Sequence, residues 1–176
     1  KWVKGRRHVF TEIANDLTDN ETRYWFHCAS LGEYEQGKPL IEKLKAKEPQ
    51  LKIVVTFFSP SGYENRKDDS LIDYCYYLPY DSKSNAKRFV ELVQPKKAFF
   101  VKYEFWYFYL EQLNQSAIPT YLVSGVFRKS QLFFKWYGTT HRNMLNYFNH
   151  FFLQNERSKN LLGELGYNNA LVTGDT

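Results

Sequence analysis

The chain has 176 residues, long enough for one domain with a real core and too short for two large ones. Aromatic residues make up 19% of it, which excludes a disordered or linker-like segment and leaves more ring surface than a core of this size absorbs. The formal net charge of +5 suits either an ordinary basic soluble protein or an anionic partner such as a nucleic acid, a phosphorylated glycan or an acidic lipid.

In chain order, residues 1–7 set Trp2 among Lys1, Lys4, Arg6 and Arg7, and residues 16–21 read as a polar turn. A first buried strand follows over 24–29 (YWFHCA). Leu40, Ile41 and Leu44 give helical spacing over 35–47, stopped by Pro49. The β-branched run 51–57 is a second strand. Ser59-Pro60-Ser61 supplies the cap and first turn of a short helix over 61–67. A third strand over 74–78 closes at Pro79, and a helix over 82–93 carries the apolar stripe Phe89, Val90, Leu92 and Val93. Strands over 97–101, 119–123, 151–154 and 170–173 alternate with helices over 105–115, 139–149 and 158–166.

The strands are continuously apolar, as expected when both faces of a sheet are covered. The pattern predicts an α/β fold with an open, mainly parallel sheet, right-handed crossovers and ligands at the carboxyl ends of the strands. Cys28 and Cys75 each lie in an apolar run and lack CxxC or Cys/His spacing, so they read as reduced core thiols and not as zinc ligands. No apolar stretch reaches the roughly 18–20 residues that span a bilayer, and no signal peptide is evident. The chain starts without Met and stops at Gly174-Asp175-Thr176, in what reads as a strand-to-loop junction, so both ends are expected to be cuts.

The first strand runs into Ala29-Ser30-Leu31-Gly32-Glu33-Tyr34-Glu35, where Gly32 permits a tight turn. Glu33 then stands just past the carboxyl end of the strand. A carboxylate there is either a general base aimed at the ligand crevice or a helix-start residue favoured by the dipole. No GxGxxG dinucleotide fingerprint is present. Glu104 repeats this placement after the fourth strand and either orients a ligand hydroxyl or pairs with a base such as Lys102. Ser59, Ser61 and Gly62 offer hydroxyls and backbone N–H groups to a phosphate or sugar, or simply cap a helix. His27 sits mid-strand and reads as a satisfied core histidine. His8, His141 and His150 have no metal-like companions, and Ser30 lacks a nucleophile-elbow context. The segment 128–137 mixes Arg128, Lys129 and Lys135 with Phe133, Phe134, Trp136 and Tyr137. Like the start with its exposed cations Lys1, Lys4, Arg6 and Arg7 around Trp2, it suits an anionic membrane interface or a single-stranded nucleic acid; alternatively it is a loop folded onto its own aromatics.

Five segments stand in order over almost the whole chain: Trp25–Glu33 with its Gly-Glu pair, Val55–Gly62 with its Thr/Ser-rich turn and closing Gly, Tyr77-Leu78-Pro79-Tyr80-Asp81, the Glu-x-Trp of Lys102–Trp106, and Val172–Thr176. Together they resemble segments of the 3-deoxy-D-manno-octulosonic acid (Kdo) transferases. The resemblance implies a Rossmann-like domain, the N-terminal, acceptor-side half of a two-domain GT-B glycosyltransferase occupying residues 1–176. A missing C-terminal domain would bind the donor, CMP-Kdo. By the Gly-Glu match Glu33 is the catalytic base. The acceptor, a phosphorylated lipid A precursor, would meet Ser30, Gly32, Ser59, Ser61, Gly62, Glu104, Arg128 and Ser130. Phe133, Phe134, Lys135 and Trp136 would face the membrane. The chemistry implies no metal and no cofactor, and no nucleic acid partner is expected. The intact enzyme is expected on the cytoplasmic face of the inner membrane, with an anchor before Lys1, and this piece is expected to be inactive alone. The sequence departs from the family pattern at Tyr103, Tyr107, Phe57-Phe58 and Ser124–Arg128, where the arginine is displaced. A GT-B transferase of another nucleotide sugar, or a non-catalytic nucleic-acid-binding module, are the rival readings.

Overall fold

The computed structural model describes residues 6–17 and 20–174. Lys1, Trp2 and Lys4, part of the 16–21 turn, and the last two residues of the Val172–Thr176 segment lie outside them. Seven strands form one sheet in the order β3-β2-β1-β4-β5-β6-β7, with every pairing parallel. They are β1 (Arg23–Cys28), β2 (Lys52–Phe57), β3 (Tyr74–Tyr77), β4 (Lys97–Val101), β5 (Thr120–Gly125), β6 (His150–Leu153) and β7 (Ala170–Val172). The helices are α1 (Val9–Asp16), α2 (Leu31–Lys47), α3 (Pro60–Arg66), α4 (Lys83–Val93), α5 (Tyr107–Gln115), α6 (Thr139–Leu145) and α7 (Glu156–Glu164). This is the Rossmann-like, doubly wound arrangement, and the chain direction across the sheet reverses between β1 and β4.

The alternation of side chains along each strand sorts the core into two halves. Trp25, Val54, Ala98, Phe100, Leu122 and Phe151 face one side, where α1, α4, α5, α6 and α7 cover them. Tyr24, Phe26, Cys28, Ile53, Val55, Phe57, Phe99 and Val101 face the other, under Tyr34 and Ile41 of α2. Every residue of β1 is buried, as the continuous apolar run predicts. Trp25 anchors the first half, with ring centroids of Phe89 at 4.7 Å, Phe100 at 5.2 Å and Tyr109 at 5.7 Å.

The expected elements are all present, with shifted ends. Helix α2 starts at Leu31 and runs through Gly37 and Pro39, two poor helix formers. Gly37 is there for close approach, since a Cβ would stand 3.2 Å from Val101 Cγ2. Helix α6 stops at Leu145 rather than 149, and Asn149 turns its side chain to accept the Thr120 N–H. Helix α7 starts at Glu156, capped by Asn155, which accepts the Ser158 N–H. The α1 helix was not expected. It carries Val9 and Ile13 into the core, a four-residue spacing masked by the basic start. The sheet is wholly parallel rather than mainly so. Cys28 and Cys75 are both free, the first fully buried and the second partly so.

Three expectations need correction. Arg6 is no surface cation. Its guanidinium is buried, donates to the carbonyls of Leu78 and Phe58, and lies over the Phe58 and Tyr77 rings. Phe133 does not face outward either: it packs on Phe105 and Phe127 in the core. Gly32 makes no tight turn. It sits in the first helical turn of α2 with open space where a Cβ would be. Among the described residues, no helix is long and apolar enough to cross a membrane.

The glycines give a direct test. A Cβ at Gly62 would lie 2.1 Å from the Phe57 ring, whereas at Gly32 nothing lies within 4 Å. Urea unfolding is expected to show Gly62→Ala destabilised by about 1–3 kcal/mol through overpacking. Gly32→Ala is expected to be stabilised by about 0.4–1 kcal/mol through a stiffer unfolded chain.

Candidate active site

The carboxyl ends of β2, β1 and β4 open side by side at the point where the chain reverses direction. Ligands in such sheets bind in this crevice. The β1–α2 junction brings Ser30 and Glu33 here, the β2–α3 turn brings Ser59 and Ser61, and the β4–α5 loop brings Lys102 and Glu104. The Ser59 N–H donates to the Ala29 carbonyl at 2.8 Å and so ties the first two turns together. Neither Ser30 nor Ser59 spends its hydroxyl on a helix cap. Ser59 and Ser61 instead bond each other at 2.8 Å. Gly62 is buried with its Cα packed beneath the Phe57 ring.

Glu33 is the third residue of α2, and its carboxylate reaches back to accept the N–H groups of Ala29 and Ser30. That is the return half of a capping box. The same carboxyl group is pushed up to about 7. Burial is the largest cause and the nearby negative charge of Glu104 the next. The two backbone N–H groups and Lys102 pull in the opposite direction and do not prevail. The helix-start residue and the near-neutral carboxyl are therefore one and the same side chain.

Glu104 is not in a helix, because α5 begins only at Tyr107. It lies in the loop and accepts from the Trp106 indole N–H at 2.6 Å, with His27 Nε2 at 3.2 Å. No direct pair with Lys102 forms. Phe58 packs on Trp106 at 4.9 Å between centroids, so the Phe57-Phe58 pair builds core and crevice wall where small polar residues were the family pattern. The Asp81 carboxylate caps α5 by accepting the N–H groups of Phe108 and Tyr109, which fixes the loop carrying Glu104 from across the crevice. Lys102 and Ser124, at the ends of neighbouring strands, adopt left-handed backbone (φ 65° and 54°). Such non-glycine outliers cost on the order of 1 kcal/mol and gather at functional edges.

A second concavity of about 370 Å³ opens after β5, lined by Val126, Phe127, Arg128, Lys129, Ser130, Asn155 and Arg157. Arg128 lies over the Tyr103 ring at 5.9 Å, joining this basic pocket to the Glu104 loop. Arg128 and Ser130 thus stand together, but two strands away from Glu33, with β4 between. Phe134 is half-buried against the core and Lys135 half-buried, while Trp136 is 89% exposed. The sequence reading missed His27 and Trp106 as partners of Glu104; the Glu-x-Trp spacing was the available signal. It also missed Lys129, Asn155 and Arg157, which sequence spacing alone does not bring together. Among the described residues, no cluster of three or more His, Cys, Asp or Glu side chains could hold a metal ion.

The profile of 3-deoxy-D-manno-octulosonic-acid transferases (Kdo transferases) matches residues 4–176. The 3-deoxy-D-manno-octulosonic acid transferase of Haemophilus influenzae is 37% identical over 98 residues, 54% of this chain and 22% of that protein. The Aquifex aeolicus enzyme of the same name is 39% identical over 83 residues, 47% of this chain and 23% of its own length. The chain therefore spans about a quarter of these curated relatives in the matched region. Among solved structures, the UDP-GlcNAc 2-epimerase of Neisseria meningitidis bound to UDP-GlcNAc superposes with a TM-score of 0.62 at 17% identity. That match covers 88% of this chain and 46% of the epimerase, and it shows the fold alone.

The raised carboxyl has a stability consequence. A folded-state value above the unfolded one stabilises the fold below the unfolded value and loses that contribution as pH rises. Relative to wild type, Glu33→Gln is expected to gain stability as pH climbs from about 4.5 to about 7, with a level gain above. Melting temperatures measured between about pH 4 and pH 9 check this. A gain that does not vary with pH would show that the Glu33 carboxyl is not raised.

Proposed function

The chain belongs to the 3-deoxy-D-manno-octulosonic-acid transferase family, and we propose that it is the N-terminal, acceptor-side domain of a glycosyltransferase that moves Kdo from CMP-Kdo to a phosphorylated lipid A precursor. The observation that carries the reading is Glu33, a carboxyl held near neutrality in the crevice where the sheet reverses. A base tuned close to working pH is ionised often enough to act and basic enough to take a proton. In the proposed step the acceptor hydroxyl gives its proton to Glu33 as its oxygen attacks the anomeric carbon of Kdo. The bond from that carbon to the phosphate oxygen breaks, and CMP leaves with the electron pair. The donor is held by a C-terminal domain beyond residue 176.

The acceptor carries phosphate, and the Arg128, Lys129 and Arg157 pocket is the seat we assign to it, with Ser130 and Asn155 supplying neutral donors. Lying two strands from Glu33, the pocket lets the anion be held while a sugar hydroxyl reaches the base. Trp136, Tyr137 and Leu132, all exposed, stand on the same segment as Lys129 and Lys135. We assign them to the cytoplasmic surface of the inner membrane, rings at headgroup level and cations on lipid phosphates.

Two measurements test this. In the full-length protein, Glu33→Gln and Glu33→Ala are expected to lower Kdo transfer by about 10²–10⁴-fold with acceptor binding retained, the range for a lost general base. Transfer that survives both substitutions removes Glu33 from the chemistry. In a flotation assay with anionic liposomes, Trp136→Ala combined with Tyr137→Ala is expected to release the protein measurably, whereas Phe133→Ala acts on folding instead. Unchanged flotation of the double variant would take these rings off the membrane.

A further inference from the structure

Beneath the crevice, a line of buried hydrogen bonds runs from the core to Glu104. Trp25 Nε1 lies 2.8 Å from Thr56 Oγ1, Thr56 Oγ1 lies 2.9 Å from His27 Nδ1, and His27 Nε2 lies 3.2 Å from Glu104 Oε2. Trp25, Thr56 and His27 are all fully buried. The ends of this line fix its direction. An indole N–H can only donate, so Thr56 Oγ1 accepts at the Trp25 contact. The Thr56 hydroxyl proton is then left to point at His27 Nδ1, which accepts it. The ring proton must sit on Nε2, which donates to Glu104. The opposite tautomer would leave the Thr56 proton without an acceptor and turn a ring lone pair toward a carboxylate oxygen. Neighbouring rings hold the imidazole in place, with Trp106 edge-on at 5.5 Å and Phe100 edge-on at 5.9 Å.

Both donors to Glu104, His27 Nε2 and Trp106 Nε1, land on the same oxygen, Oε2. Oε1 has no hydrogen-bond partner among the described residues. We propose that His27 is a positioning residue, held as the Nε2–H tautomer by Thr56, that pins Oε2 of Glu104 and so reserves Oε1 to accept a hydroxyl of the acceptor sugar beside Glu33. This rests on the transferase reading above and deepens it. It gives the crevice two chemically different walls. The Glu104 side accepts hydrogen bonds from sugar hydroxyls and repels anions, while the Arg128 side takes the anion. An acceptor is thereby oriented with its hydroxyl edge toward β4 and its phosphate toward β5. The charged and titratable groups around the pair are Glu33, Lys102, His27 and the Cys28 thiol, which burial first, and then the two carboxylates, push well up into its neutral form.

The test uses full-length protein with ¹⁵N-labelled histidine, the His27 signals being those absent from His27→Gln. Wild type is expected to show a protonated Nε2 and an accepting Nδ1, and Thr56→Val, which deletes the hydroxyl at nearly constant volume, is expected to mix the tautomers. A wild-type Nδ1–H tautomer overturns the proposal. In transfer assays, His27→Leu, which cannot donate, is expected to lose about 10–100-fold in kcat/KM, the scale for removing a group that orients a reacting side chain from behind. His27→Gln keeps an N–H toward Glu104 and a carbonyl toward Thr56, and is expected to stay within a few-fold of wild type. Equal losses in the Leu and Gln variants, both folded by melting temperature, would make His27 a packing residue and overturn the proposal. Full transfer by Glu33→Gln would instead sink the base assignment, and it leaves the spectral result, which needs no activity, to decide the role of His27.

Discussion

The structure depends on the complete burial of β1. All six of its side chains are out of water, between β2 and β4 within the sheet and between two helical layers above and below. A strand in that position has no freedom of register, because a one-residue slip would exchange Trp25 and Phe26 between two differently shaped half-cores. With β1 locked, Phe26 sits against Val55 on one side and Phe99 on the other, and the three strand ends come level at one edge. The crevice is the place where those ends open and their loops part. Its geometry is a consequence of core packing and not of the loops themselves.

Charged and polar groups gathered at that edge carry a cost that is visible in three places. Two carboxylates share a partly desolvated crevice, and one is driven toward its neutral form. Lys102 and Ser124 hold left-handed backbone at adjacent strand ends. A histidine and a threonine are fully buried near the end of their strands. Each is offset by a rigid neighbour. Asp81 caps α5 and steadies the Glu104 loop, Arg6 clamps the ends of β2 and β3 through the Phe58 and Leu78 carbonyls, and Trp25 satisfies Thr56. The tyrosine-rich segment 77–81 acts through these supports: the Pro79 carbonyl accepts from Tyr109 and the Asp81 carboxylate accepts from α5.

The aromatic excess divides along the same line. Most rings build the two half-cores, and Phe133, which sequence reasoning sent to the surface, is one of these. The segment around it alternates between core and solvent because its short turn points Phe133 inward and leaves Leu132, Trp136 and Tyr137 outside. Gly138 makes this fold-back possible, since a Cβ there would stand 1.7 Å from the Leu132 carbonyl oxygen.

The sequence by itself determined the fold class, because continuous apolar strands alternating with amphipathic helices bury both faces of a sheet only in a parallel α/β arrangement. It also placed Glu33 and Glu104 correctly at strand ends, because that placement is a matter of position along the chain. It overlooked α1, whose Val9 and Ile13 lie behind a run of cations, and it misjudged Phe133 and Arg6, whose surroundings are built by residues far away in sequence. Only the tertiary structure decided that Glu33 and Glu104 feel each other, that the buried His27, satisfied as its mid-strand place predicts, has Glu104 for a partner, and that Arg157 joins Arg128 and Lys129. Proton affinity and hydrogen-bond direction depend on through-space distance and on exclusion of water, and neither is written in the order of residues.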